Sequence, residues 1–124
     1  DYTPAIANYN KAISISEDYI PAWYGKGIAL MDAGEDEEAI IALKKVVELD
    51  TENFNAPFQL GNIYMKNDSD YEALEWYLIA LKNNDKEYSI HSRLSELYEK
   101  IGDEDQADLH RKLAKKYRGR ARRK

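Results

Sequence analysis

The chain repeats itself at a spacing of 34 residues, and this period constrains its fold more than any other feature. Small and apolar residues fall into phase without a gap: Gly27, Gly61 and Ser95; Leu30, Tyr64 and Tyr98; Ala5, Ala39, Ala73 and Ala107; Ala12, Val46, Ala80 and Ala114; and Ile6, Ile40 and Leu74. A period of this length is typical of repeat proteins, in which neighbouring units bury a shared core that no single unit can form.

The pattern of apolar residues within each unit predicts two helices. Apolar residues recur at helical spacing through Trp23, Gly27 and Leu30, and again through Ala39 and Leu43. Between them, a glycine stops the first helix and an acid-rich turn suits the start of the second. We therefore predict helices over 3–16, 20–33, 37–50, 54–67, 71–83, 88–101 and 105–117.

Composition excludes several classes of protein. Without cysteine the chain forms no disulfide and no thiolate metal site. No apolar run approaches the roughly 20 residues that span a bilayer, and no signal-peptide pattern opens the chain. We expect a cytoplasmic protein, and because the chain begins at Asp1 without Met we expect a piece of a longer one.

The net charge of −5 conceals an asymmetry. Seven basic residues and no acidic one lie between Lys115 and Lys124. Eleven basic residues against 23 acidic ones leave residues 1–114 with a net charge of −12. The tail is interpreted either as a solvated helix end or as an electrostatic contact to nucleic acid or another acidic surface.

The repeat resembles the tetratricopeptide repeat family, over nearly the whole chain. The residues that carry the resemblance are Trp23, Lys26-Gly27, Leu30, Ala39 and Leu43 in one unit; Leu60-Gly61, Tyr64, Ala73 and Tyr77 in the next; Leu94-Ser95, Tyr98 and Ala107 in the last; and Ala5, Tyr9 and Ala12 in a leading half-unit. The departures are Glu17, Thr51 and Asp85 in place of the closing proline, and Pro57 and His91 at the Trp phase.

The resemblance implies an all-α fold, a right-handed α-solenoid of antiparallel helix pairs with three and a half units. We divide it into a half repeat 1–19, repeats 20–53, 54–87 and 88–117, and a basic C-terminal tail 118–124.

The Gly25-Lys26-Gly27 segment is interpreted as a packing device. A phosphate-binding loop needs a preceding strand and a Lys-Ser or Lys-Thr end, and both are absent here. Glycine instead recurs where the helices of a pair approach closely, and we expect Ala39 and Ala73 to form the small surface opposite.

The concave surface implied by the resemblance is lined mainly by the first helix of each pair. Its predicted residues are Tyr24, Ile28, Met31, Phe58, Gln59, Asn62, Met65, Lys66, Ser92, Arg93 and Glu96. The alternative is that the apolar members of this stripe belong to the core. Methionine beside aromatic rings suits a groove that accepts an apolar peptide side chain or an amphipathic helix.

These residues predict a non-enzymatic protein-protein interaction module that binds a partner peptide or helix. Some family members hold a C-terminal carboxylate with Lys, Asn and Arg, but of the corresponding positions (Tyr24, Ile28, Gln59, Ser89 and Arg93) only Arg93 matches. The alternative function is a nucleic-acid-associated adaptor that uses the basic tail.

No catalytic, cofactor or metal site is predicted. His91 and His110 lie on different helices, and no nucleophile and base can be paired. We expect His91 at a helix-pair interface and His110 on a solvated face.

The two ends of the array differ. The first helix keeps Tyr2, Ile6, Tyr9 and Ile13, whereas the last has Asp108, Arg111 and Lys115 at the equivalent phases. We expect the first helix to be the second of a pair whose partner precedes residue 1. Its uncovered apolar edge predicts weak homo-oligomer formation.

Overall fold

A computed structural model describes residues 1–123 as seven helices, with no strand in that range. The helices are α1 (Thr3–Ile15), α2 (Ile20–Asp32), α3 (Asp36–Leu49), α4 (Asn55–Lys66), α5 (Asp70–Asn83), α6 (Tyr88–Ile101) and α7 (Glu104–Arg122). The predicted helices are confirmed within one residue at each boundary, except that α7 ends at Arg122 and not near residue 117. Lys124 of the predicted tail lies outside the described residues.

The same tight turn closes the first helix of each pair. Gly34 and Gly102 adopt left-handed backbone angles, with φ of 83° and 100°. After α2, the Gly34 amide donates to the Met31 carbonyl, and the Glu35 amide donates to the Leu30 carbonyl at 2.8 Å. These bonds satisfy carbonyls that the helix end leaves without partners.

Asp68 occupies the glycine phase between Gly34 and Gly102 and also has a positive φ, of 61°. Aspartate tolerates this conformation better than most residues. Its carboxylate accepts a hydrogen bond of 2.7 Å from the Lys100 ammonium of the next unit. This hydrogen bond lowers the pKa of Asp68, and the positive charge of Lys100 lowers it further.

In the pairs α2–α3 and α4–α5, a large side chain of the second helix lies over a glycine of the first. A Cβ atom added to Gly27 would come within 2.8 Å of Leu43, and one added to Gly61 within 2.5 Å of the Tyr77 ring. Ala39 and Ala73, expected opposite these glycines, are fully buried, but the nearest side chain is not theirs. The partner is instead the residue one turn later, because a bulky side chain fills the space that glycine leaves open.

Gly25 makes the corresponding contact across the first helix junction. A Cβ atom there would come within 2.4 Å of the Tyr9 ring. Both glycines of the Gly25-Lys26-Gly27 segment therefore permit close packing of α2. Gly25 faces α1 and Gly27 faces α3.

The core is divided into two clusters along the array. One joins α2, α3 and α4 through Leu30, Leu43, Val46, Leu60 and Ile63, and the other joins α5 and α6 through Tyr77, Ile90, Leu94 and Leu97, among others. This serial arrangement is expected of a solenoid, in which each unit packs on its neighbours alone.

The last helix pair, α6 and α7, contains a buried polar contact between two histidines. His91 is buried at this interface as predicted, but the prediction of a solvated His110 is wrong, since only 5% of it is exposed. The two Nδ1 atoms lie 2.9 Å apart, and the rings continue into a stack with Tyr98 and Tyr117. Arg111 leaves α7 without a bulky apolar residue at the Leu43 phase, so aromatic stacking carries this interface.

Hydrogen bonding assigns the tautomers of this pair. The Nε2 atom of His91 lies 2.7 Å from the Asp85 carbonyl oxygen, which can only accept, so Nε2 carries the proton. In the neutral pair, the bare Nδ1 of His91 then accepts a hydrogen bond from the Nδ1–H of His110. Each neutral ring therefore has a defined role that added protons disturb.

Changing Gly61 to leucine should destabilise the array by roughly 3 kcal/mol, because a side chain there collides with Tyr77 and overpacks the junction. Urea unfolding followed by circular dichroism measures the change. Gly119→Leu is the matched control, since a Cβ atom at Gly119 meets nothing within 4 Å. Equal stability of Gly61→Leu and the wild-type chain would contradict the packing role.

The histidine pair should make stability depend on pH. Burial lowers the pKa of His110, and the neighbouring His91 lowers it further. Because an unfolded histidine titrates near about 6.5, the unfolded chain binds more protons below that pH. The contribution of His110 is therefore full above pH 6.5 and is lost as the pH falls through its folded pKa.

Urea unfolding between pH 8 and pH 5 tests this dependence. We expect a decline of at most about 1.4 kcal/mol per pH unit from this group. His110→Phe keeps a ring in the stack but cannot titrate, and its pH profile should be flatter. Parallel profiles for the two chains would show that His110 does not carry the effect.

Candidate functional site: an open groove along the first helices

An open groove of about 1150 Å³ lies on the surface of the described residues. It runs along the first helices of three successive pairs, α2, α4 and α6, with one residue from α5. Its lining residues are Met31, Asp32, Gln59, Asn62, Ile63, Met65, Lys66, Tyr77, Arg93, Glu96, Glu99 and Lys100.

Seven of the eleven residues predicted for the groove line this cavity: Met31, Gln59, Asn62, Met65, Lys66, Arg93 and Glu96. Four do not. Tyr24 and Ile28 are half-buried, and Tyr24 packs against the cluster of α2, α3 and α4. Phe58 is also half-buried, with its ring 5.8 Å from that of Tyr77, and Ser92 is exposed.

Tyr77 lies at the groove floor although it belongs to a second helix, α5. Its ring covers Gly61, while its hydroxyl donates to the Oδ1 atom of Asn62 and lies 3.6 Å from the Met65 sulfur. The sequence offers one signal that could have placed Tyr77 at the groove. A buried tyrosine hydroxyl needs a polar partner, and the groove supplies polar side chains. Burial raises the pKa of Tyr77, so the hydroxyl stays protonated and acts as a donor at neutral pH.

Two amide side chains hold the middle of the groove. The Asn62 amide donates to the Gln59 carbonyl oxygen at 3.2 Å and accepts from Tyr77. Gln59 also hydrogen bonds to the Tyr24 hydroxyl; burial raises the pKa of Tyr24, and this bond partly offsets the rise. Each amide nitrogen has two hydrogens, so this network leaves donors for a ligand.

Ion pairs between successive units neutralise most of the rim. Lys66 lies 3.0 Å from Asp36, and Lys100 lies 3.0 Å from Asp70, which is one period after Asp36. Arg93 pairs with Glu96 at 3.3 Å. These contacts are solvent-exposed and contribute little stability each. They do, however, leave the groove without a strong net charge.

The second predicted surface, the edge on α1, is partly covered. Tyr2 is 43% exposed, whereas Ile6, Tyr9 and Ile13 are half-buried. Ile6 packs against the cluster of α2, α3 and α4, and Tyr9 lies over Gly25. No residue of α1 is fully buried.

Comparison with known proteins supports the repeat assignment. A family model described as TPR repeat matches residues 27–68. Subunit 3 of the anaphase-promoting complex of Schizosaccharomyces pombe is 26% identical over 86 residues, which is 69% of this chain and 13% of that protein. The chain thus spans a small part of that curated relative.

Solved structures of MamA share the fold. One MamA crystal structure superposes with a TM-score of 0.84 at 26% identity, over 92% of this chain and 67% of that one. MamA from Desulfovibrio magneticus RS-1 also gives a TM-score of 0.84, at 21% identity, over 95% of this chain and 67% of that one. None of the described helices is both long and apolar enough to cross a membrane.

The match of residues 27–68 to the TPR-repeat model, the fold shared with MamA and the 34-residue period together indicate that the chain contains tetratricopeptide repeats.

Proposed function

We propose that the chain is a protein–protein interaction module that binds an apolar peptide segment or helix of a partner in the groove along α2, α4 and α6. The observation that carries this proposal is the composition of the groove. Half-buried Met31 and Met65 line it together with Tyr77, whose hydroxyl lies 3.6 Å from the Met65 sulfur, and with the Gln59 and Asn62 amides. Methionine adapts to varied apolar side chains, and a neighbouring ring adds contact area at little entropic cost.

The free donors of the amides suit the main-chain carbonyls of a bound segment, while the methionines suit its side chains. Because the rim cations are already paired, charge contributes less to affinity than burial of apolar surface. Binding in the groove should therefore weaken little as salt rises.

Glutamate at Met31 or Met65 should weaken peptide binding at least tenfold, since it places a charge against the apolar side chain of the ligand. Peptides selected from a random 16-residue display library on the whole chain serve as probes, and calorimetry measures their affinity for each variant. Ile41→Glu is the matched control, because Ile41 is 67% exposed on α3 and does not line the groove.

Circular dichroism separates lost binding from lost folding. If the selected peptides bind both methionine variants as tightly as the wild-type chain, the groove is not the peptide site. Tyr24→Ala and Phe58→Ala extend the test to the predicted residues behind the lining: we expect weaker binding and, because both are half-buried, lower stability.

We also propose weak self-association through the α1 edge, favoured by the exposure of Tyr2 and the absence of any fully buried residue on α1. Sedimentation velocity of residues 1–124 over a wide concentration range measures it. Tyr2→Glu should reduce association without disturbing the core, whereas Arg111→Glu on α7 should not change it. A chain that stays monomeric at millimolar concentration would contradict this role for the edge.

A further inference from the structure

The outward side of α7 carries a stripe of cations that groove binding leaves unexplained. Lys112, Lys115, Lys116, Arg120 and Arg123 line, with Gly119, a shallow depression of about 480 Å³. No acidic residue occurs between Leu109 and Arg123. Because the helix continues to Arg122, these side chains form one surface and not a frayed tail.

No carboxylate forms an ion pair with a cation of the stripe among the described residues. Within residues 1–123, Arg111 is the sole α7 cation in an ion pair, with Asp108 and Glu99, and it does not line the depression. Cations three or four residues apart on a helix repel each other. The helix dipole favours cations in the last turn but does not account for Lys112, Lys115 and Lys116.

Aromatic rings hold part of this charge in place. The Lys116 ammonium lies 5.5 Å and the Arg120 guanidinium 5.4 Å from the centre of the Tyr117 ring. Tyr117 itself stacks on the buried His91 at 5.5 Å. Two cations of the stripe are therefore anchored to the body of the protein, which lowers the entropy lost when they meet a ligand.

Gly119 lines the depression and has no packing role within the chain. Glycine is the poorest helix former after proline, yet it lies within α7. Unlike Gly25, Gly27 and Gly61, it makes room for no other part of the chain, since a Cβ atom would meet nothing within 4 Å. It leaves bare backbone at the centre of the cationic depression, which permits close approach by a rigid, negatively charged partner.

The opposite side of α7 is already occupied, because His110 and Ala114 are buried and His110 contacts His91 of α6. No broad apolar side remains for insertion into a bilayer, which a membrane-surface helix needs. From Lys112 to Arg123 the stripe extends about 16 Å along the helix. That length is about half of one turn of a DNA duplex, which rises about 34–36 Å per turn.

We propose that this stripe binds the phosphate backbone of a nucleic-acid duplex without sequence preference. The five cations contact phosphates on the facing side of the duplex, and Gly119 lets the backbone of the duplex approach the helix. The net charge of −12 on residues 1–114 confines the contact to α7 by repelling the duplex elsewhere. This binding is separate from the groove and does not depend on the peptide ligand.

Fluorescence anisotropy of a labelled 20-base-pair DNA duplex with the whole chain tests the proposal. We expect the logarithm of the binding constant to fall linearly with the logarithm of salt concentration, with a slope of about −4.5 for five phosphates. The variant Lys112→Gln, Lys116→Gln, Arg120→Gln should bind at least tenfold more weakly at 50 mM salt, with a shallower slope. Gly119→Gln should bind at least threefold more weakly while α7 stays helical.

A control of equal charge removes three cations from other helices: Lys11→Gln, Lys44→Gln, Lys82→Gln. Its affinity should stay within twofold of the wild-type chain. Equal loss in the two triple variants, or no binding of the duplex at 50 mM salt, would overturn the proposal. So would tighter binding of polyglutamate or of phosphatidylserine vesicles than of the duplex, since the stripe would then belong to an acidic protein or a membrane.

Discussion

The close approach of two helices across a glycine is the contact on which the array depends. In the two central pairs a large side chain, Leu43 or Tyr77, fills the space over Gly27 or Gly61. This contact sets the separation of the helices within a pair. The first helices of successive pairs then lie side by side at a regular spacing. This spacing determines the width of the groove.

The terminal pair shows what happens when that contact changes. Ser95 replaces glycine and its hydroxyl donates to the Ala107 carbonyl at 3.0 Å, while Arg111 replaces the large apolar partner. The histidines and tyrosines of α6 and α7 supply the missing contact area. Polar rings therefore carry this junction, whereas large apolar or aromatic side chains over glycine carry the two central pairs.

Sequence periodicity predicts the helices closely because each apolar phase is repeated and errors in one unit are corrected by the next. It places Met31, Asn62 and Met65 at the groove for the same reason. It does not predict Tyr77 as a groove residue. The period assigns this position to the contact within a helix pair, whereas the Tyr77 side chain both covers Gly61 and lines the groove. Nor does it predict the contact between His91 and His110, which occurs once, or the length of α7, whose last turns have no apolar period.

The ion pairs from Lys66 to Asp36 and from Lys100 to Asp70 have a mechanical consequence. Both join neighbouring units at the same phase, and both lysines line the groove. A deformation that opens the groove must lengthen these contacts, whereas one that narrows it need not. Opening of the groove therefore stretches two contacts that salt, which screens exposed charges, weakens, whereas narrowing of the groove leaves them in place.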